Sequence, residues 1–267
     1  MTRDTAHAID FDDARTTIGS FLRARLAESD ADGYVLGVSG GLDSVLAAHV
    51  AAGALGPDRV LGLVMPGAPS AERHMRDARE VCDALGIDRL EVDIEPIVEA
   101  TIADVPPEDR DRITVGNVRA RARMVLWYRE ANRRNLLVLG ANNRSERLLG
   151  YFTKYGDGGV DVAALGDLYK TEVYAFARAV GVDERIVGKT PTAELWEGQT
   201  DEGELGASYE TIDRILRGVV DRGRSVPEVA ERTGIDEETV RTFADMWRTS
   251  AHKREVPPTP GIERPDS

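Results

Sequence analysis

The stretch that most constrains the fold begins at residue 34. An apolar run, Tyr34–Val38, passes through Gly37-Val38-Ser39-Gly40-Gly41-Leu42-Asp43-Ser44 directly into an alanine-rich segment of helical spacing, Leu42–Leu55. A strand, a glycine-rich corner and a helix in that order begin a βα unit. The alternation then repeats. Val60–Met65, Leu90–Ile94 and Leu136–Gly140 are predicted strands; Ala71–Leu85, a segment from Glu95 to the Val105-Pro106-Pro107 break, and roughly 114–134 are predicted helices. An amphipathic helix over 10–28 precedes them, with Phe11, Ile18, Phe21, Leu22 and Leu26 near helical spacing. Short apolar strands separated by helices imply an α/β fold, a doubly wound parallel sheet with helices on both faces. Ligands of such sheets bind at the carboxyl ends of the strands, beside a switch point.

After residue 140 the texture changes. Five glycines and two aspartates between 150 and 166 predict a long functional loop. Tyr169–Val180 reads as helix, Gly188–Gly206 as a polar loop, and the last 60 residues as helical up to a proline-rich end. Residues 1–256 are read as one domain and 257–267 as a flexible tail.

Composition excludes several classes. The formal charge is −13, so a duplex nucleic acid is not an expected partner. No run of 18 apolar residues exists for a membrane span, and the N-terminus lacks the pattern of a secretory signal. The single cysteine, Cys82, cannot close an internal disulfide. These features predict a cytoplasmic protein. Only four basic residues are lysine: Lys154, Lys170, Lys189 and Lys253. Acid excess with scarce lysine suits a protein kept soluble in concentrated salt, and equally a GC-rich genome that encodes arginine in its place.

Gly37 to Ser44 is the strongest chemical signal. Glycines and serines at a strand–helix corner let backbone N–H groups converge on an anion, and the helix N-terminus adds its positive end. The segment is neither a Walker A loop nor a dinucleotide fingerprint. A bare turn explains the glycines but not Ser39, Asp43 and Ser44. An aspartate inside an anion nest makes sense where a divalent metal bridges it to phosphate.

The SGGLDS core resembles the phosphate loop of the N-type ATP pyrophosphatases, which cleave ATP between the α- and β-phosphates. Further motifs narrow the likeness. Gly116-Asn-Val-Arg-Ala-Arg-Ala-Arg-Met124, Asn143-Arg-Ser-Glu146, Leu149 to Asp161 (LGYFTKYGDGGVD), Leu165 to Lys170 (LGDLYK) and Leu195 to Glu202 (LWEGQTDE) resemble the NAD synthetase family over residues 10 to 256. The resemblance implies an ammonia-dependent ligase that amidates deamido-NAD with ATP, through an acyl-adenylate, giving NAD, AMP and pyrophosphate. Both steps build negative charge, so the site needs cations and aimed donors more than a nucleophile.

Carried over by position, the family pattern implies that Gly37, Val38, Ser39, Gly40, Gly41, Leu42, Asp43 and Ser44 hold ATP, with Lys170 on phosphate and Thr192 as a hydrogen-bond partner. Asp43 and Glu146 are the implied Mg²⁺ ligands, both hard oxygen donors. Arg121, Lys154, Asp161, His252 and Lys253 are the implied deamido-NAD contacts. Alternate positions on a helix lie about 200° apart, so Arg119, Arg121 and Arg123 cannot all face one ligand. Arg121 is taken as the contact and the other two as a solvated face. His7, His49 and His74 are read as surface or packing residues. The family usually has threonine where this chain has Ala141. The resemblance also implies a homodimer, and ammonia as the nitrogen donor, since no glutaminase motif is present.

Two other readings are set beside it. One is a different amidating ATP pyrophosphatase. The other takes Ser225–Thr249, with Gly234 at its turn, as a DNA-binding helix-turn-helix under a nucleotide sensor. That segment carries six acids against three arginines, and a recognition helix opening Asp236-Glu237-Glu238 would repel phosphates.

Overall fold

The computed structural model describes residues 9–68, 72–192, 196 and 198–262. Five parallel strands, β1 (Gly33–Gly37), β2 (Val60–Val64), β3 (Asp88–Glu91), β4 (Leu136–Gly140) and β5 (Val162–Ala163), form one sheet in the order β3-β2-β1-β4-β5. The chain moves from β1 outward through β2 and β3, then crosses back to place β4 on the other side of β1. The switch point therefore lies between β1 and β4, at the end of the glycine-rich loop.

The alternation of β1 side chains explains the two helical layers. Tyr34 and Leu36 point to one face, which is covered by α1 (Phe11–Ser29), α2 (Leu42–Leu55), α3 (Glu72–Leu85) and α7 (Lys170–Ala179). Val35 points to the other, which is covered by α4 (Glu95–Thr101) and α5 (Arg112–Arg134). Alanines 47, 48, 51 and 52 of α2 are buried, so that helix can approach the sheet closely. Across the α1–α7 contact, Phe11 stacks on Phe176 with centroids 5.6 Å apart. Two caps fix the limits of α5: Asp111 accepts the N–H groups of Ile113 and Thr114, and Asn135 ends the helix in the left-handed region.

The C-terminal helices form a separate apolar cluster. The helices α6 (Arg144–Leu149), α10 (Tyr209–Leu216), α11 (Val226–Thr233) and α12 (Glu237–Thr249) bury Ile212, Ile215, Val229, Val240 and Phe243 together. Short helices α8 (Glu184–Val187), α9 (Asp201–Leu205) and α13 (Ala251–Arg254) complete the described set. The helix-turn-helix shape is present, with Gly234 at φ +70°. Its inner faces are spent on this cluster, and α12 opens with Asp236, Glu237 and Glu238.

Most predicted elements fall within one or two residues of their bounds, and the exceptions have physical causes. The third strand is Asp88–Glu91 and not Leu90–Ile94. Its edge position leaves it mostly exposed, so its pattern is polar, while the apolar Ile94 is buried as the cap of α4. The glycine-rich loop contains β5, whose two residues are too short to register as a strand pattern. The loop from Gly188 to Gly206 contains α9. Ala71, the predicted start of the second crossover helix, lies outside the described residues.

Candidate active site

The loop after β1 is a built anion seat. Ser44 Oγ donates to the Gly41 carbonyl at 2.9 Å and accepts the Ser39 N–H at 3.2 Å; Ser39 Oγ accepts the Gly41 N–H at 3.2 Å. Gly40 adopts φ +78°, and a Cβ there would lie 2.3 Å from the His74 carbonyl oxygen, so only glycine fits. From below, Lys189 Nζ donates to the Gly40 carbonyl at 2.6 Å and pairs with Asp77 at 2.6 Å. Gly41 caps α2 with no side-chain bond. The first turn of α2 thus keeps N–H groups for a bound anion.

A charged cluster faces that seat. Asn143 caps α6 by accepting the Glu146 N–H at 3.0 Å, while Glu146 Oε2 accepts the Asn143 N–H at 3.3 Å. This capping box turns Glu146 back toward Asp43, because Asn143 Nδ2 also donates to Asp43 Oδ1 at 3.0 Å. Lys170, the first residue of α7, places Nζ on Asp43 Oδ2 and 3.6 Å from Glu146 Oε1. Its side chain is only 4% exposed, against 19% for Asp43 and 13% for Glu146. Burial and the nearby Asp43 raise the Glu146 carboxyl, opposed by Lys170. Burial works against the Lys170 ammonium, but Asp43 and Glu146 outweigh it and hold the lysine charged. Two carboxylates share one cation in a nearly dry spot. That arrangement favours added positive charge.

The position of Lys170 depends on a buried network that sequence inspection does not reveal. Asp213 of α10 accepts the Ser145 hydroxyl at 2.5 Å, and its other oxygen accepts the Thr171 N–H at 2.9 Å and hydroxyl at 2.8 Å. Ser145 Oγ in turn accepts the Lys170 N–H at 2.9 Å. One carboxylate therefore ties the start of α6 to the start of α7. Near them Asp201 is buried, held by Tyr209 OH at 2.9 Å. Burial raises its carboxyl and Lys170 lowers it.

Loop and cluster line one cavity of about 510 Å³. Its other walls come from α5 (Asn117, Arg123, Trp127), the glycine-rich loop (Phe152, Thr153, Asp157), Ala141, Thr192 and Lys253. Among the sequence-predicted residues, the structure brings together Gly37, Val38, Ser39, Gly41, Leu42, Asp43, Ser44, Glu146, Lys170, Thr192 and Lys253. Gly40 supports the loop from beneath. Lys253 Nζ donates to the carbonyls of Gly150 and Phe152 at 2.7 and 2.9 Å. The remaining four lie outside the lining. Arg121 is exposed and donates to the Lys154 carbonyl at 3.3 Å, and Lys154 Nζ reaches the carbonyl of the exposed His252. Asp161 accepts Tyr128 OH at 2.9 Å and the Val138 N–H at 2.8 Å, which fixes the β4–β5 register.

The arginines of α5 require a correction. Arg119 and Arg123 are not a solvated face: Arg119 pairs with Glu95 at 3.3 Å with its side chain 15% exposed, and Arg123 lines the cavity. They are one helical turn apart and share the inner face, with Arg121 opposite. His74, read as a packing residue, is buried and also lines the cavity.

Comparison with known proteins extends these observations. The NAD synthase family model matches residues 15–257. The chain belongs to the NAD synthase family. It is 47% identical over 253 residues to the NH(3)-dependent NAD(+) synthetase of Thermococcus kodakarensis, covering 95% of this chain and 98% of that one. The protein of that name from Halobacterium salinarum is 45% identical, over 95% and 94% of the two chains. Among solved structures, NMN synthetase from Francisella tularensis superposes with a TM-score of 0.84 at 31% identity, over 95% of this chain and 100% of that one. The NH3-dependent NAD synthetase of Campylobacter jejuni gives 0.79 at 30% identity, over 94% and 99%.

Proposed function

We propose that this chain is an ammonia-dependent ligase that converts deamido-NAD to NAD, with ATP yielding AMP and pyrophosphate. The observation that carries the reading is the Asp43–Lys170–Glu146 cluster facing an anion seat at the sheet's switch point, in a chain that matches NAD synthases along nearly its whole length. A carboxylate does not react with ammonia unaided, since oxide would have to leave. In the proposed route a carboxylate oxygen attacks the α-phosphorus and pyrophosphate departs. Ammonia then attacks the acyl carbon, AMP departs and the surplus proton is lost to solvent.

The residues present fit a Mg²⁺ ion. Asp43 and Glu146 would hold it, with phosphate oxygens and water completing its shell, as is usual for this ion. When bound it supplies charge neutralisation for the departing pyrophosphate. Lys170 supplies fixed positive charge beside the phosphates, and the uncapped first turn of α2 offers its N–H groups to them. The reading places deamido-NAD against Lys253 on the cavity wall and Arg121, Lys154, Asp161 and His252 beyond it, in a homodimer of the cytoplasm. No helix among the described residues is long and apolar enough to cross a membrane.

The test incubates the protein with ATP, Mg²⁺, ammonium and deamido-NAD and assays NAD, AMP and pyrophosphate together. A parallel arm offers nicotinate mononucleotide, because a protein of the NMN synthetase name shares this fold. NAD formation with a kcat/KM at least tenfold above that for the mononucleotide supports the reading. Preference for the mononucleotide overturns the choice of substrate, and absence of AMP overturns the reaction.

A further inference from the structure

Two side chains in the cavity wall keep donor groups that no acceptor among the described residues takes up. The Arg123 guanidinium carries five N–H donors. Among the described residues it makes one hydrogen bond, from Nε to the Met65 carbonyl at 3.3 Å, and no ion pair. The carboxylates within electrostatic range are already engaged. Glu95 holds Arg119 and the Ala68 N–H, and Asp157 holds the Asn142 amide and the Thr153 N–H. Loss of water, with Arg119 nearby, pushes the guanidinium down to about 10, so the cation sits where charge is disfavoured. One helical turn further along α5, Trp127 Nε1 is buried without a hydrogen-bond partner among the described residues. The indole lies against the end of β1, where a Cβ on Gly37 would come within 2.9 Å of Nε1. Gly37 is therefore what admits the indole to the mouth of the phosphate loop.

Both side chains are on one face of α5 and belong to residues that line the same cavity as the loop. They stand on the α5 side of the sheet, whereas α2 and its anion seat stand on the opposite side. The cavity thus holds two donor sets flanking the end of β1. A reaction that joins a carboxylate to a phosphate brings two anions together, and a second cationic seat at their junction meets that need.

We propose that Arg123 and Trp127 together bind an anionic oxyacid group of a substrate, either the α-phosphate of the adenine nucleotide or the carboxylate of deamido-NAD. The proposal rests on the ligase reading of this cavity. It assigns binding work to two residues that the family pattern leaves out.

The experiment measures dissociation constants by calorimetry for AMP, deamido-NAD and NAD, on wild type and on Arg123→Met, Arg123→Lys and Trp127→Phe, with a melting curve for each. NAD is the control, because it carries a neutral amide where deamido-NAD carries the carboxylate. If the carboxylate is the group held, Arg123→Met weakens deamido-NAD about 10- to 100-fold and NAD far less. If the α-phosphate is held, AMP is weakened by that factor and deamido-NAD keeps its affinity. In either case Arg123→Lys recovers part of the loss. Trp127→Phe, which removes the N–H together with one ring of the indole, weakens the same ligand by about two- to tenfold while its melting curve reads the lost packing.

Unchanged affinity for AMP and deamido-NAD in both Arg123→Met and Trp127→Phe overturns the proposal. Equal weakening of all three ligands with a lowered melting point also overturns it, since that is the mark of a structural role. If Arg123→Met does not fold, Arg123→Lys and Trp127→Phe decide by the same criteria. The ligase reading fails separately, on the wild type, if that protein forms no NAD.

Discussion

Replacing Asp213 by asparagine keeps the side chain's shape and tests whether the buried network positions Lys170. The carboxylate is 2% exposed and accepts three hydrogen bonds, one from Ser145 and two from Thr171. In Asp213→Asn the amide oxygen can keep the two Thr171 bonds, but Nδ2 then faces Ser145 Oγ and must donate to it. Ser145 already accepts the Lys170 N–H, so its own hydroxyl proton loses its acceptor inside the protein. The cost is one charge-assisted bond, about 1.5–3 kcal/mol, partly offset because a buried charge no longer has to be desolvated. A net loss of about 1–2 kcal/mol corresponds to a melting point lower by roughly 2–8 °C for a chain of this size. Because the disturbed atoms hold the first residue of α7, kcat should fall more than the KM for deamido-NAD rises. Differential scanning calorimetry and steady-state kinetics read both quantities. A variant that melts within 1 °C of wild type and turns over normally would refute the reasoning.

Four further outcomes follow from the same geometry. Asp43→Asn should fold and lose about 10²-fold or more in kcat, because Asn143 Nδ2 and Lys170 then meet an amide and the nucleotide's metal loses a charged ligand. Normal turnover at ordinary Mg²⁺ would remove Asp43 from the metal site. Ala141→Thr, on the cavity wall, should lower the KM for ATP by about two- to tenfold through one added hydrogen bond, with the KM for deamido-NAD unchanged; a higher KM would mean that the pocket is packed around alanine. Hydrogen bonds from Thr114 hold the Asp111 cap of α5 below the usual carboxylate range, so its contribution is present above about pH 4 and lost as pH falls through the lowered value. Asp111→Ala should therefore melt lower at pH 7, with the difference shrinking below about pH 4, and a gap that persists in acid would exclude the charge as its cause. With a charge of −13, the melting point should rise from about 0.1 M to molar KCl, and a flat or falling curve would favour genome composition as the origin of the scarce lysines.

Much of this site is legible in the sequence because local rules write it. The strand–loop–helix from Tyr34 to Leu55 carries its own period and its own glycines, and Asn143-x-x-Glu146 has capping-box spacing. Less legible are features that depend on what packs behind a residue. Arg123 and Arg121 differ by two positions in an arginine-studded run, and only the contact of α5 with β1 selects the inner one. Asp213 stands in a helical pattern 68 residues from Ser145, so nothing local marks it as a tie between two helix starts. The exposed β3 shows the same limit from the other side, since a strand at the sheet edge has little apolar signal to read.

If the carboxylate is activated on the α-phosphate of ATP, one of its oxygens passes to AMP, and an isotope follows that oxygen directly. Deamido-NAD labelled with ¹⁸O in its nicotinate carboxylate is turned over once with ATP, Mg²⁺ and ammonium, and the phosphorus products are resolved by ³¹P NMR. NAD, AMP and pyrophosphate should form in equal amounts, with one ¹⁸O in the phosphate of AMP and none in pyrophosphate. Label in pyrophosphate or orthophosphate, or ADP in place of AMP, would contradict it.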